Sequence, residues 1–205
     1  MKRFLALVWL ALLAVGASAE DDGAADALLA ALRPMGHLQG QFTQRQYDAD
    51  GALADESTGT FRLLRPGYFS WEILAPDRQL IIANPSYVWH YDRDLETLTR
   101  RPVTDSVRMS PLQVLGGDEA ALREHYRVQR DAQHRFTLTP LAGDPGFRRL
   151  TLTLEDDLLS GMEILDNLGQ RVAIAFDKLD ATSTLTSQDF EFTPPDGVDL
   201  FYYDE

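Results

Sequence analysis

Apolar and polar residues alternate with period two over most of this chain, and helical spacing interrupts the alternation in two places. Residues two apart in a strand line one face, whereas residues three and four apart share a helix face. Leu28, Leu29 and Leu32 fit the second pattern, so Ala24–Leu32 is predicted to be a helix, with Asp26 in its first turn and Pro34 and Gly36 ending it. From Leu38 the period becomes two. Leu38, Gly40, Phe42 and Gln44 fall on one side, and Gln39, Gln41, Thr43 and Arg45 on a wet one. Asp48 to Gly51 reads as a hairpin turn. Its resemblance to a calcium loop fails, because Ser57 stands where the bidentate glutamate would be. Further strands follow: Thr60–Arg65, Phe69–Ile73, Leu80–Ala83, Tyr87–Tyr91 and Leu95–Val103.

The alternation breaks at Met109-Ser110-Pro111. Ser110 as cap and Pro111 in the first turn start a short helix that Gly116 and Gly117 stop, with Met109, Leu112 and Leu115 on one side. A second helix is expected over Asp118–Tyr126. The period of two then returns through Phe136/Leu138, Leu150/Leu152/Leu154, Met162/Ile164 and Val172/Ile174/Phe176. The pattern predicts an α+β chain, mainly an antiparallel meander, with a helical insertion between two strand-rich halves. Without a linker or internal repeat, one domain is expected.

Two features of the strand faces carry chemistry. The first is apolar supply: Phe42, Phe61, Leu63, Phe69, Trp71, Ile73, Trp89 and Tyr91 crowd strand faces with only a few short helices to cover them. Such a face is either an ordinary sheet-on-helix core or the wall of a cavity for a greasy ligand. The second is Arg65, which shares its parity with Phe61 and Leu63 just before the turn-forming Pro66-Gly67. An arginine at a strand end commonly snorkels its head into water. The alternative is a cation beneath a movable cover, bonded to backbone carbonyls, because a buried guanidinium stays charged and needs acceptors.

Composition narrows the setting. Lys2 and Arg3, the apolar run Leu5–Val15 and Ala17-Ser18-Ala19 have the form of a signal segment over residues 1–19, leaving a single domain from Glu20 to Glu205. Removing Lys2 and Arg3 leaves 17 of the 19 basic residues against 32 acidic ones, a formal charge of −15. Nucleic acid and anionic membrane surfaces are poor partners for that field, and basic protein surfaces are better ones. Little lysine beside so much acid also fits a high-salt habitat. The chain has no cysteine, so neither a disulfide framework nor a lipidated N-terminal cysteine is expected. His37, His90, His125 and His134 are scattered, and no metal site or cofactor is expected. No Gly-x-Ser-x-Gly elbow or glycine-rich phosphate loop is present, so no catalytic residues are assigned. A carboxylate-dependent, glycosidase-like hydrolase stays as the enzymatic alternative, and a structural or sensor domain as the inert one.

Several short motifs, in order along the chain, resemble the LolA family of periplasmic outer-membrane lipoprotein carriers. Arg65–Trp71 reads R-P-G-Y-F-S-W, against the family signature R-P-x-x-F-x-W. Phe42–Gln44 gives F-T-Q, Trp89–Asp92 gives W-x-Y-D, and Ser110–Gly116 gives S-P-L-x-x-L-x-G. Gly169–Arg171 gives G-Q-R, and Phe190–Asp199 gives F-x-F-T-P-P-x-G-V-D. Ala83-Asn84-Pro85-Ser86 departs from the family's usual turn. The resemblance implies an incomplete, half-open β-barrel closed by a lid of short helices over an apolar cavity. It also implies a monomeric, non-enzymatic chaperone of the periplasm. Such a carrier accepts lipoproteins from the inner-membrane ABC transporter LolCDE and delivers them to the outer-membrane receptor LolB. It further implies Arg65 as the lid latch, the eight apolar residues named above as the lipid cavity, and Met109, Pro111, Leu112 and Leu115 as lid residues.

Overall fold

The computed structural model describes residues 18–104, 111–116, 119–142 and 146–203. Helix α1 (Ser18–Leu32) begins earlier than the spacing predicts and ends in a 3-10 turn, Arg33–Met35. Six strands follow: β1 (His37–Tyr47), β2 (Leu53–Leu64), β3 (Tyr68–Ala75), β4 (Gln79–Ala83), β5 (Tyr87–Asp92) and β6 (Thr97–Pro102). Two short helices come next, α2 (Pro111–Gly116) and α3 (Glu119–His125). The second half supplies β7 (Tyr126–Arg130), β8 (Arg135–Pro140), β9 (Phe147–Glu155), β10 (Leu158–Asp166) and β11 (Arg171–Asp180). A 3-10 turn at Ser187–Phe190 leads to β12 (Asp199–Tyr202).

All twelve strands form one sheet, ordered β12-β6-β5-β4-β3-β2-β1-β11-β10-β9-β8-β7. The meander of each half is antiparallel, and β1 joins the halves through β11. β12 and β7 are the edges, so the barrel stays open. Two elements escaped the sequence pattern. β12 runs parallel to β6, out of a Pro/Gly-rich stretch with no alternation to signal it. Tyr126, expected to end the second helix, opens β7 instead, because Tyr126 and Val128 both bury on the sheet's inner face.

Register shows how this inner face is made. Leu38 pairs with Leu63, Phe61 with Trp71, and Phe42 with Phe176. The same face continues through Ile174, Met162, Leu152 and Phe136. Opposed residues in an antiparallel pair lie on one side, so an unbroken apolar surface runs from β3 to β7. Leu28, Leu29 and Leu32 of α1, then Met35, bury against it. α1 packs over β7, and α2 packs over β2 and β3.

Glycine sets one local detail that matters. Gly59 lies opposite Phe42, and a Cβ there would stand 2.0 Å from the Glu72 carbonyl oxygen and 2.6 Å from Phe42 Cζ. The space it leaves admits the Phe42 ring, which stacks on Trp71 at 3.7 Å between centroids.

Candidate functional site

The candidate site is the inner face of β1–β3 under the short helices. Phe42, Phe61, Leu63, Phe69 and Trp71 are all buried in one cluster with Val114 and Leu115 of α2 and Leu122 of α3. Ile73 is half-buried and packs against them. Trp71 is the hub: besides Phe42, it has Phe61 and Phe69 at 6.1 Å and Phe176 edge-on at 6.2 Å. Rings in such offset and edge contacts gain about 0.5–1.5 kcal/mol per pair beyond burial.

Trp89 and Tyr91 do not belong to this wall. Trp89 pairs with Ile82 and Tyr91 with Leu80, while Ile82 and Leu80 pair with Ser70 and Glu72. Ser70 and Glu72 alternate with Phe69, Trp71 and Ile73, so Trp89 and Tyr91 face outward. There the C-terminal segment covers them: Phe192 lies 5.7 Å from the Trp89 ring and 6.2 Å from that of Tyr91. Phe190 and Leu185 bury beside them against Ile82. The sequence supplies the alternation but not its phase, and a strand with aromatics on one parity has two choices. Here a second apolar layer, built from the F-x-F of the C-terminal motif, takes the outer face.

The helical cover has little stability of its own. α2 has six residues and α3 seven, well short of the length at which isolated helices persist in water. Their fold depends on Val114, Leu115 and Leu122. Asp26 of α1 pairs with Arg123 of α3, and Arg33 lies 3.8 Å from Glu119. Both pairs are exposed, so each contributes at most about 1 kcal/mol. Of the expected lid residues, Pro111 opens α2 and is half-buried, Leu115 is buried, and Leu112 falls within α2. Met109 and Ser110 lie outside the described residues. Val114 and Glu119 were not anticipated; the helix pattern places Val114 beside Leu115, but nothing in it marks Glu119.

Arg65 sits in the turn between β2 and β3, its backbone N–H donating to the Gly36 carbonyl at 2.8 Å. Its head does not snorkel: Nε and Nη2 are buried, and neither has a hydrogen-bond partner among the described residues. Burial holds the guanidinium near pKa 10, well below its ordinary value, and the field of Glu119 on α3 offsets only part of that. So a buried charge lies within electrostatic reach of Glu119 on the cover. Two neighbouring turns frame it. Gly67 adopts φ +82°, and a Cβ there would meet Pro85 at 3.6 Å. The Asn84 side chain accepts from the N–H groups of Ser86 and Tyr87, so the departing Ala83–Ser86 segment is still a well-formed turn.

Among the described residues no group of three or more His, Cys, Asp or Glu side chains comes together as a metal site, and no helix is long and apolar enough to cross a membrane.

A half-open antiparallel barrel with an apolar inner face under short helices is the architecture of a class of carriers for hydrophobic cargo. The family model described as outer membrane lipoprotein carrier protein LolA matches residues 34–193, and the chain belongs to this family. It is 37% identical over 183 residues to an outer-membrane lipoprotein carrier protein of Chromohalobacter salexigens, covering 88% of this chain and 87% of the other. A protein of the same name from Methylococcus capsulatus is 39% identical over 168 residues, with 80% of each chain covered. In fold, the chain is similar to a LolA superfamily protein of Nitrosomonas europaea, at a TM-score of 0.52 and 13% identity, over 82% of this chain and 98% of that one.

Proposed function

We propose that this protein is a periplasmic carrier chaperone. It takes lipoproteins from LolCDE at the inner membrane, shelters their acyl chains on the inner face of β1–β3, and passes them to LolB. It is a carrier and not an enzyme. The observation that carries this reading is the continuous apolar inner face, roofed by helices too short to stand alone.

The energetics call for an opposing element. A diacylglyceryl anchor buries dozens of methylenes, each worth ~0.8 kcal/mol. Fully realised, that sum would exceed the roughly −18 to −21 kcal/mol at which affinities saturate, and cargo would be trapped. Arg65 is the element proposed to oppose it. Its charge and unmet hydrogen-bonding capacity make the rim of the greasy surface less favourable to acyl chains. Lifting of the cover takes Glu119 away from the guanidinium and leaves acyl chains against an uncompensated charge. In this form the latch acts through desolvated charge, with Glu119 as its counterpart on the cover.

Spheroplasts offered the purified protein test the reading. Lipoproteins should appear in the soluble fraction bound to the carrier. No release at any carrier concentration would refute it.

A further inference from the structure

The hairpin connections at one end of the sheet share a feature that the inner face does not need. The β5–β6, β3–β4, β1–β2, β10–β11 and β8–β9 connections lie there side by side. Each carries or adjoins one exposed leucine: Leu95, Leu74, Leu53, Leu168 and Leu141 respectively. Every exposed leucine among the described residues is one of these five, and exposure reaches 79% at Leu168 and 73% at Leu95. The described connections at the other end, around Arg65–Gly67, Asn84–Ser86, Asp131–His134 and Asp156–Asp157, carry none.

The leucines are presented, not merely left over. Asp92 Oδ1 accepts from the Leu95 N–H at 2.9 Å, and Asp166 Oδ1 accepts from the Leu168 N–H at 2.8 Å. Asp48 fixes the β1–β2 turn in the same way through Asp50 and Ala52. That turn lies against the β10–β11 turn, since a Cβ on Gly169 would meet the Ala49 Cβ at 3.6 Å. Apolar tips on turns already ordered lose little conformational freedom on contact. Successive connections are two strands apart, so the tips recur at roughly 10 Å along an arc of about 40 Å, the scale of a standard protein interface.

We propose that this rim is a docking surface for a partner protein whose contact face is basic and pocketed with apolar depressions. Charge selects the occupant. Segments 48–52, 75–78, 92–96 and 166–170 hold seven acidic residues against Arg78 and Arg93, and Arg148 reaches the β10–β11 turn at Gly169, which leaves a formal charge of −4. That field repels a second copy of the chain and anionic lipid headgroups, and it complements arginine and lysine on a protein. The rim lies at the opposite end of the strands from Arg65, so docking there leaves the cover free to move. The inference rests on the carrier reading, because it is carriage between partners that gives the rim a use.

The test compares the wild type with a variant carrying Leu53→Ser, Leu74→Ser, Leu95→Ser, Leu141→Ser and Leu168→Ser. The probes are lipid-free LolB and LolCDE in nanodiscs, measured by biolayer interferometry, with a fluorescent fatty-acyl probe for the inner face. Kd for at least one protein probe should rise tenfold or more while acyl-probe affinity is unchanged, and wild-type association should slow between 50 and 500 mM salt, on the order expected for screened charge. If the fivefold variant melts early, Leu95→Ser/Leu168→Ser replaces it, with a threefold rise expected. Affinities within twofold of wild type for both probes would overturn the proposal. So would leucine-dependent flotation with phosphatidylcholine vesicles, which would make the rim a membrane contact, or a leucine-dependent dimer in sedimentation. A failed carrier reading shows itself differently, as a wild type that binds no acyl probe.

Discussion

Replacing Arg65 with leucine should make the cargo-free protein more stable, contrary to the usual result of deleting a buried interaction. The guanidinium lies near pKa 10, well below its ordinary value, with burial as the leading cause. At about 1.4 kcal/mol per tenfold in the ionisation constant, holding it charged in place costs about 3 kcal/mol at neutral pH. Nε and Nη2 are buried without partners, so few bonds are lost in exchange. For a chain of this length 1 kcal/mol moves the melting temperature by roughly 2–4 °C, and Arg65→Leu should melt about 6–12 °C higher. The folded-state pKa is depressed, so the cost is complete below about pH 10 and disappears only as pH rises from there toward the ordinary guanidinium value. The gain in melting temperature should therefore be constant from pH 6 to 9. Circular dichroism on the cargo-free protein reads it directly, with Arg65→Lys as the variant that keeps a charge. On the proposed reading the same substitution removes what opposes acyl chains at the Arg65 end of the inner face, so loaded carrier should transfer to LolB several-fold more slowly. A variant that melts lower than wild type by a similar margin would refute the reasoning, and would mean that the guanidinium holds the cover by bonds.

Other substitutions probe separate parts of the account. Trp71→Leu should weaken binding of a fatty-acyl probe several-fold, whereas Trp89→Leu, on the outer face, should leave it within twofold; equal losses would mean that the two faces are not distinct. Gly59→Ala should destabilise by about 1–3 kcal/mol, as overpacking does, because its Cβ would meet the Glu72 carbonyl oxygen and the Phe42 ring; urea unfolding with an unchanged midpoint would contradict the close approach. Burial pushes the Tyr126 phenol up from its ordinary value. Its contribution to stability is thus present below about pH 10 and lost as pH rises further, so Tyr126→Phe should carry the alkaline unfolding midpoint to higher pH.

What the sequence made legible follows from which forces are local. Alternation is a local property, and it located β1–β3 and β8–β11 because their inner faces are apolar and their outer faces mostly polar or small, and β5 because its aromatics share one parity. It also put Phe61, Leu63 and Arg65 on one side, and that side does face the interior. Phase between distant strands is not local. Tyr87, Trp89 and Tyr91 share a parity, but only the pairing of Trp89 with Ile82 shows that this parity points outward. The second apolar layer that makes this tolerable comes from Phe190 and Phe192, about a hundred residues away in sequence. β12 has no alternation to read and forms because β6 offers an unpaired edge. Gly59 gave no signal either, since its role exists only opposite Phe42. The environment of Arg65 depends on Glu119 and on burial beneath helices whose placement the sequence leaves open.

The central claim is that cargo acyl chains lie on the inner face of β1–β3. A lipoprotein bearing a photoreactive fatty-acyl group, loaded onto the carrier, irradiated and mapped by mass spectrometry, tests it most directly. Crosslinks should fall on Phe61, Phe69, Trp71 and the α2 residues around Leu115, and spare Trp89, Tyr91 and Phe192. Crosslinks concentrated on Trp89 and Phe192 would place the cargo on the wrong side of the sheet and contradict the account.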